Sequence, residues 1–428
     1  MGFAKWHLQR ALPGFRRGSF KHKGISGLKA ILATCAAALL VAASGAHAQS
    51  PGKLPDRIKI GVLLSVSGGA SGAIQQTIGE MVKMVKKEFE TNGTTLAGRP
   101  VDFVFADDAS DTTQAITEAK RLIEREHVHV MLGPALTAAV LAVAPLYNQA
   151  RIPSIVLGSA STFTPTVSPY GFVSYYNSAA YTRVLSDYIV DTMKAKSVGI
   201  FYTDAALDRV AVEEYVKNLS ARGVTVTGTE MAAFRSPDVS PQILALRRGK
   251  PDVLIVQSST GEDGGGAVKA MNDIGWKVPI VSHIAALLAP AWMKVAGPRI
   301  FESGDIHSLT FGAYLACKDE PLGQSQFAKF LARVKAFDPD NYDKIPLYAL
   351  SYTYDAYQLL FAAINATKSV DGPVVAEWIE ANSQHFPTIS GKMNASKTNH
   401  FLYGNDAMKI VVRPDLRRAD GLLLRPGC

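Results

Sequence analysis

The sequence has few cysteines, little net charge beyond its first fifty residues, and no apolar run of membrane-spanning length. Three cysteines in 428 residues exclude a disulfide-dense scaffold. Seven of the 45 basic residues lie within residues 1–48, which contain no acidic residue, so the remaining 38 nearly balance 37 acidic residues. Because no basic field is left to hold a polyanion, no nucleic-acid partner is predicted.

The sequence also lacks the common catalytic signatures. It has no Gly-x-Ser-x-Gly elbow, no Gly-x-x-x-x-Gly-Lys phosphate loop, and no Gly-x-Gly-x-x-Gly after a strand. The glycines of Gly261 to Gly266 have the wrong spacing for a phosphate loop and predict a solvent-exposed loop. His127 and His129 have no third partner for a metal site. We therefore predict no catalytic residues, no metal and no cofactor.

The first residues predict an export signal. A basic stretch ends at Lys29, an apolar run of about 14 residues follows from Ala30, and Ala46-His47-Ala48 forms a small-x-small cleavage site. We predict a signal peptide over residues 1–48, cleavage before Gln49, and a soluble periplasmic protein. Arg16-Arg17 leaves twin-arginine export as an alternative to the general pathway.

Cleavage would leave two thiols, Cys317 and Cys428. An oxidising compartment permits a disulfide between them. The alternative is one buried thiol and one frayed terminal thiol, and the sequence leaves both open.

Short apolar runs alternate with amphipathic helices from Ile58 onward, which predicts an α/β fold. The first module has strands at 58–64, 101–106, 128–132 and 153–157, and the second has strands at 198–202, 224–229, 253–257 and 279–282. Nearly continuous apolar strands separated by helices are typical of a parallel sheet covered on both faces. From Gly304 onward the pattern predicts mostly helix, with short strands near Thr388–Ser390 and Met408–Val412.

Small and hydroxyl-bearing residues follow several predicted strands, at the edge where parallel sheets bind ligands. Thr137 begins a helix there, so its hydroxyl and the free N–H groups of the first turn are suited to a carboxylate. The alternative is that Thr137 only caps its helix.

Several motifs together resemble the solute-binding proteins of ABC importers, of the branched-chain amino acid (Leu/Ile/Val) type. They are Ile58-Lys59-Ile60-Gly61-Val62, Asp107-Asp108 with Asp111, Gly133-Pro134, Arg151-Ile152-Pro153, Gly275-Trp276-Lys277-Val278-Pro279 and Tyr354-Asp355-Ala356-Tyr357. The resemblance runs from about Ile58 to Val412. It implies a type I periplasmic binding protein fold, with two lobes, each a parallel sheet flanked by helices, joined by three hinge crossovers.

The resemblance also implies domain boundaries and a ligand cleft. Lobe 1 would comprise 55–174 plus 309–388, and lobe 2 would comprise 175–308 plus 389–428. The predicted ligand-binding residues are Ser65, Ser67, Gly68, Thr137, Ala138, Ser159, Ser161, Asp204, Asp208, Ser258 and His283. The family's acidic residue for a ligand ammonium group should fall near His283, where no acid is present. Either Asp204 or Asp208 replaces it, or the ligand is a carboxylate without an amine.

The sequence thus predicts a monomeric solute-binding component of an ABC importer, with no enzymatic activity. It would capture a small carboxylate, either an amino acid or an aromatic acid, by lobe closure and deliver it to the permease membrane subunits. A periplasmic ligand sensor and a periplasmic enzyme using the same cleft are the alternatives.

Overall fold

The structure is a computed structural model that describes residues 54–158, 160–303, 305–342, 345 and 348–428. The predicted signal peptide, its cleavage site before Gln49, and Ser159 lie outside these residues. The described residues belong to one unit, Pro51–Cys428.

The described residues alternate between strands and helices. The strands are β1 (Ile58–Leu64), β2 (Val101–Asp107), β3 (Val130–Leu132), β4 (Ser154–Val156), β5 (Gly171–Val173), β6 (Ser197–Thr203), β7 (Thr225–Ala232), β8 (Val253–Gln257), β9 (Ile280–Ser282), β10 (Ile306–Phe311), β11 (Leu315–Ala316), β12 (Met408–Val412) and β13 (Leu423–Leu424). The helices are α1 (Ser71–Ile74), α2 (Glu80–Asn92), α3 (Thr112–Lys120), α4 (Thr137–Gln149), α5 (Ser178–Asp191), α6 (Ala206–Ala221), α7 (Ser240–Arg248), α8 (Gly261–Asp273), α9 (Ala289–Ala296), α10 (Ile300–Ser303), α11 (Gln326–Phe337), α12 (Tyr348–Thr367) and α13 (Gly372–Asn382).

The first sheet has the strand order β2-β1-β3-β4-β5, and all neighbouring strands are parallel. Ile58 lies opposite Val101, and Ile60 lies opposite Val130. Every residue of β1 except Lys59 is buried, as expected for a strand with helices on both faces. The carboxyl ends of these five strands therefore meet at one edge.

The second sheet has the order β12-β10-β9-β8-β6-β7. Strands β6 to β10 are parallel, whereas β12 runs antiparallel to β10, with Val412 opposite His307. All five residues of β8 are buried. The predicted α/β fold with two parallel-sheet modules is confirmed.

The C-terminal part of the chain packs against the first sheet and adds a strand to the second. Helix α12 packs against α2 and β4, and Arg151 donates two hydrogen bonds to Asp371, at 2.8 and 2.7 Å. The chain then returns to the second sheet as β12. The predicted boundary at residue 309 falls within β10.

The prediction of a solvent-exposed loop at Gly261 to Gly266 is wrong, because these residues form the first turns of α8. Thr260 caps the helix by accepting a hydrogen bond from the Asp263 amide at 3.2 Å. A Cβ atom added to Gly264 would lie 2.4 Å from the Trp292 ring of α9. Glycine is therefore needed here for close helix packing rather than for an exposed turn.

The expectation of a mostly helical remainder after Gly304 missed β10, which lies between β9 and β12. The strand expected at Thr388–Ser390 is also wrong. That segment is irregular, and the Ile389 and Ser390 amides each donate to the buried Asp355 carboxylate at 2.9 Å. The strand predicted at Met408–Val412 is β12.

Cys317 and Cys428 form a disulfide, with their Cα atoms 5.5 Å apart. Next to it, β11 and β13 pair in parallel, with Leu315 opposite Leu423. The disulfide thus secures the last residues of the chain to the segment that follows β10. Among the described helices, none is both long and apolar enough to cross a membrane.

Candidate functional site

A cavity of about 390 Å³ lies where the loops after most of the parallel strands converge. Its volume falls within the range of small-molecule sites. Its described lining residues are Ile74, Thr77, Ile78, Ser110, Ala135, Leu136, Thr137, Ala138, Leu157, Gly158, Tyr175, Asp204, Ala205, Ala206, Leu207, Phe234, Ser259, His283, Ile284, Ala285, Leu288, Ala349 and Tyr352. Both sheets contribute, so a ligand here would touch both.

The cavity wall is mostly apolar and carries almost no charge. No Lys or Arg is among the described lining residues, and Asp204 is the only acidic one. A bound anion would therefore rely on hydroxyl and backbone N–H groups rather than on a cationic side chain.

Thr137 and Ala138 line the cavity at the start of α4, on the first-sheet side. The N-cap of α4 is Leu136, which makes no side-chain capping bond, and the first turn contains no acidic residue. Thr137 is 8% exposed, and its hydroxyl has no hydrogen-bond partner among the described residues. Thr137 therefore does not cap its helix. Its hydroxyl and the free N–H groups of this turn are available to an anion.

Gly133 allows the loop that precedes α4 to pack closely against the end of β1. Its φ is +93°, and an added Cβ atom would lie 2.0 Å from the Leu63 carbonyl oxygen. Only glycine fits both the backbone conformation and this contact. The loop that carries Thr137 is thereby held against the end of β1.

Ser65, Ser67 and Gly68 do not line the cavity. The buried Ser65 hydroxyl donates to Asp108 at 2.6 Å, and the exposed Ser67 hydroxyl donates to Asp107 at 2.7 Å. Ser110 lines the cavity instead and donates to the Ser67 carbonyl oxygen at 3.0 Å. The loop after β1 is thus bound to the loop after β2, and only the latter reaches the cavity.

Ser161 also lies away from the cavity. Its hydroxyl donates to Glu214 of α6 at 2.5 Å, and its amide donates to the Ser178 hydroxyl at 2.9 Å. Burial raises the pKa of Glu214. Ser161 therefore joins the loop after β4 to a helix beside the second sheet.

Asp204 lines the cavity from the loop after β6. Its Oδ1 atom is paired with the guanidinium group of Arg209, and its side chain is 36% exposed. Its Oδ2 atom has no partner among the described residues. Because Arg209 already balances the charge, Asp204 is a weak counterion for a ligand ammonium group.

Asp208 is fully buried in α6, outside the cavity lining. It accepts hydrogen bonds from Thr203, from Gln257 at 2.8 Å, and from the Ser259 amide and hydroxyl, each at 3.0 Å. Burial raises the pKa of its carboxyl to about 6. Asp208 positions Ser259, which lines the cavity, whereas the predicted Ser258 is buried and donates to the Thr260 carbonyl oxygen at 3.1 Å.

His283 lines the cavity at the end of β9. It is 4% exposed, its Nδ1 atom is shielded from solvent and has no partner among the described residues, and its ring stacks on Tyr181 at a centroid distance of 5.5 Å. Burial lowers the pKa of its imidazole to about 4. His283 is therefore neutral at physiological pH, with one donor and one acceptor nitrogen.

The family model described as periplasmic binding protein matches residues 57–411, which is most of the chain. The chain belongs to the periplasmic binding protein family. The resemblance inferred from the sequence motifs is thereby confirmed, and the members of this family bind small solutes.

Relatives and solved structures agree with this family. An amino acid binding protein of Pseudomonas aeruginosa is 24% identical over 304 residues, covering 70% of this chain and 76% of the relative. An extracellular ligand-binding receptor of Rhodopseudomonas palustris HaA2 has a TM-score of 0.72 at 20% identity, covering 86% of this chain and 99% of the other. An ABC-transporter solute-binding protein of Rhodopseudomonas palustris, in complex with 4-hydroxybenzoate, has a TM-score of 0.69 at 20% identity. The match covers 86% of this chain and 95% of the other.

The sequence reasoning missed several cavity residues of this periplasmic binding protein. Phe234 and Ser259 follow β7 and β8, so applying the strand-end rule to every strand would have found them. Ser110 is found in the same way after β2. Tyr352 comes from α12, far along the chain, and its hydroxyl has no partner among the described residues. No local pattern in the sequence marks it.

The raised pKa of Asp208 predicts a specific dependence of stability on pH. The folded protein holds this proton up to about pH 6, whereas the unfolded chain releases it near pH 4. The contribution of Asp208 to the free energy of unfolding should therefore fall as the pH rises from 4 to 7. The buried His283, whose pKa is lowered to about 4, contributes with the opposite sign over the same range, so the difference between the parent and Asp208→Asn is what reports on Asp208. This difference should change by up to about 3 kcal/mol. Urea unfolding at pH 4.5, 5.5, 6.5 and 7.5 measures it.

An exposed carboxylate provides the control for this measurement. Asp340→Asn removes an exposed acid and should leave the pH profile of the parent protein unchanged. A pH profile that is the same in the parent and in Asp208→Asn would contradict the prediction.

Proposed function

We propose that this periplasmic binding protein captures a small carboxylate with an apolar body and delivers it to the membrane subunits of an ABC permease. It acts as a monomer in the periplasm, after removal of residues 1–48. The two lobes close on the ligand, so that groups from both sheets enclose it.

The start of α4 carries this proposal. It presents the free Thr137 hydroxyl, the amides of its first turn, and no acidic residue. A helix N-terminus with a free hydroxyl is an anion site that needs no cationic side chain. The apolar side chains around it, including Ile78, Leu157 and Phe234, suit a hydrocarbon or aromatic body.

The opposite end of the cavity favours a solute without an ammonium group. A buried ammonium group needs a carboxylate partner. Arg209 already pairs with Asp204, and four donors from three residues surround Asp208, outside the lining. The Pseudomonas relative is named for amino acids and one Rhodopseudomonas structure holds an aromatic acid. The charge arrangement here supports the second class.

A thermal-shift panel tests the proposal. Benzoate, 3-phenylpropionate and 4-methylvalerate are compared with leucine, valine and the uncharged control benzamide. A ligand present at 100 times its Kd adds about 2.7 kcal/mol to the free energy of unfolding. We expect at least one of the acids to raise the Tm, and benzamide to leave it unchanged.

Asp204→Asn separates the two solute classes. The variant should bind an unsubstituted aromatic or branched acid within about twofold of the parent. If leucine or valine binds tightly and Asp204→Asn weakens that binding by 2 kcal/mol or more by order of magnitude, Asp204 is the ammonium partner and the solute is an amino acid.

A further inference from the structure

We infer that Ser161 and Glu214 are positioning residues that hold the two lobes together in the closed form, and that they thereby set the affinity for every solute. This role rests on the proposed function, in which the lobes close on the ligand. Ser161 follows a strand end like a ligand-binding residue, but the structure places its hydroxyl on Glu214, outside the cavity lining.

The two residues belong to different lobes. Ser161 lies in the loop between β4 and β5 of the first sheet, whereas Glu214 lies in the middle of α6, which follows β6 of the second sheet. The loop of Ser161 is fixed to its own lobe, because the buried Phe163 packs edge-on against Phe401, which pairs with Val173 of β5. A hydrogen bond between Ser161 and Glu214 therefore crosses from one lobe to the other.

Two hydrogen bonds join Ser161 to the second lobe. Its hydroxyl donates to the Oε1 atom of Glu214 at 2.5 Å, and its amide donates at 2.9 Å to the hydroxyl of the buried Ser178, the first residue of α5. Helix α5 packs against α6, so both acceptors belong to one rigid surface. Because its acceptor is a carboxylate, the hydroxyl bond to Glu214 is the stronger of the two.

The Ser161–Glu214 pair acts on the ligand through α6. The first residues of this helix, Ala206 and Leu207, line the cavity, and Glu214 lies about two turns further along, outside the lining. Helix α6 also contacts α4, whose first residue Thr137 lines the cavity from the other lobe. A bond that holds α6 against the first lobe therefore keeps both walls of the cavity in place without touching the ligand.

The lobes also meet at a second place. A Cβ atom added to Gly69, in the loop after β1, would lie 3.8 Å from the Phe234 ring and 3.8 Å from Arg235, in the loop after β7. Phe234 lines the cavity. Since loops of both lobes touch here and at the Ser161–Glu214 pair, this arrangement is the closed form.

The Ser161–Glu214 pair stabilises closure only in part. The Oε2 atom of Glu214 is shielded from solvent and has no hydrogen-bond partner among the described residues. A carboxylate oxygen that loses water without a replacement offsets part of the free energy gained at Oε1. Ligand contacts are therefore still needed for full closure, and the lobes can reopen to release the solute.

Calorimetry with two unlike acids tests this role. The probes are the two solutes of the thermal-shift panel that raise the Tm most, with benzoate and 4-methylvalerate as the expected pair. Ser161→Ala and Glu214→Ala should each weaken the binding of both acids by the same factor, about 5- to 20-fold, because both lose the same hydrogen bond of the closed form. The double variant should lose no more than the weaker-binding single variant.

Three further variants control this measurement. Ser161→Thr keeps the hydroxyl and should bind both acids within about threefold of the parent. Thr162→Ala and Glu213→Ala change exposed neighbours of the pair and should bind as the parent does. A loss in Ser161→Ala or Glu214→Ala that differs between the two acids by more than about threefold would indicate direct contact with the ligand and would overturn the positioning role.

Small-angle X-ray scattering measures closure without relying on affinity. Without ligand, Ser161→Ala and Glu214→Ala should each have a larger radius of gyration than the parent, because the closed form loses its bond between the lobes. Thr162→Ala and Glu213→Ala should match the parent. A saturating concentration of the tighter acid should return both variants to the radius of the liganded parent, which unfolding would not allow.

The outcomes distinguish this role from the proposed function. An affinity or a ligand-free radius of gyration that equals the parent's in both Ser161→Ala and Glu214→Ala overturns the positioning role and leaves the carboxylate function standing. Failure of every panel solute to bind the parent overturns the proposed function, and the ligand-free scattering then decides alone whether the pair holds the lobes together.

Discussion

Replacing Thr137 with alanine is expected to weaken carboxylate binding about 10- to 150-fold and to leave the fold intact. The change removes a hydrogen bond to a charged acceptor, which contributes roughly 1.5–3 kcal/mol. The structure offers no other partner for this hydroxyl among the described residues, and Leu136 rather than Thr137 is the N-cap. Calorimetry with the tightest-binding acid of the panel measures the affinity, and thermal unfolding without ligand measures the fold.

Two further variants separate the effect of the Thr137 hydroxyl on binding from that of a substitution at a helix start. Thr137→Ser keeps the hydroxyl and should bind within about threefold of the parent. Thr112→Ala changes the first residue of α3, outside the cavity lining, and should bind as the parent does. An unchanged affinity in Thr137→Ala would place the carboxylate elsewhere in the cavity.

Gly133→Ala is expected to lower the free energy of unfolding by roughly 3–5 kcal/mol. The added Cβ atom would lie 2.0 Å from the Leu63 carbonyl oxygen, and a backbone atom within a sheet cannot move aside as a flexible side chain can. The φ of +93° adds strain for any residue with a Cβ atom. Urea unfolding measures the change.

Gly223→Ala is the matched control, because its φ is also positive, at +75°, but an added Cβ atom meets nothing within 4 Å. It should cost only about 1 kcal/mol. If the two alanine variants lose equal stability, backbone conformation alone accounts for the effect and the contact with Leu63 does not. The Gly133→Ala protein that remains folded should also bind ligand more weakly, since the start of α4 must shift.

The sequence predicted those strands and helices whose hydrophobic pattern matches their burial in the fold. Strands such as β1 and β8 are nearly continuous apolar runs, and almost all of their residues are buried. Thr137 follows such a strand and opens an apolar helix, so its place at the cavity was predictable. The start of α8 was not, because the glycines at 261 and 264–266 have low helix propensity, whereas the close contact of Gly264 and Gly265 with Trp292 is a tertiary feature.

The residues that line the cavity could be predicted only in part from the sequence. The rule that ligands lie at strand ends locates Thr137, Asp204 and His283, but it does not say which of two adjacent residues faces inward. Ser258 and Ser259 illustrate this, since only Ser259, which is held by the Asp208 carboxylate, lines the cavity. Ser67 and Ser110 are distinguished only by hydrogen bonds between two loops that are distant in the sequence.

The disulfide changes how the chain carries mechanical load. Cys317 and Cys428 are separated by 111 positions, so the oxidised chain contains a covalent ring that includes α11, α12, α13 and β12. A force applied between the two ends of the chain passes directly from Cys317 to Cys428 and bypasses everything inside the ring. The extended length of the oxidised chain is shorter by about 370–400 Å than that of the reduced chain. Helices α11, α12 and α13 thus remain unstretched while the chain before Cys317 is pulled apart.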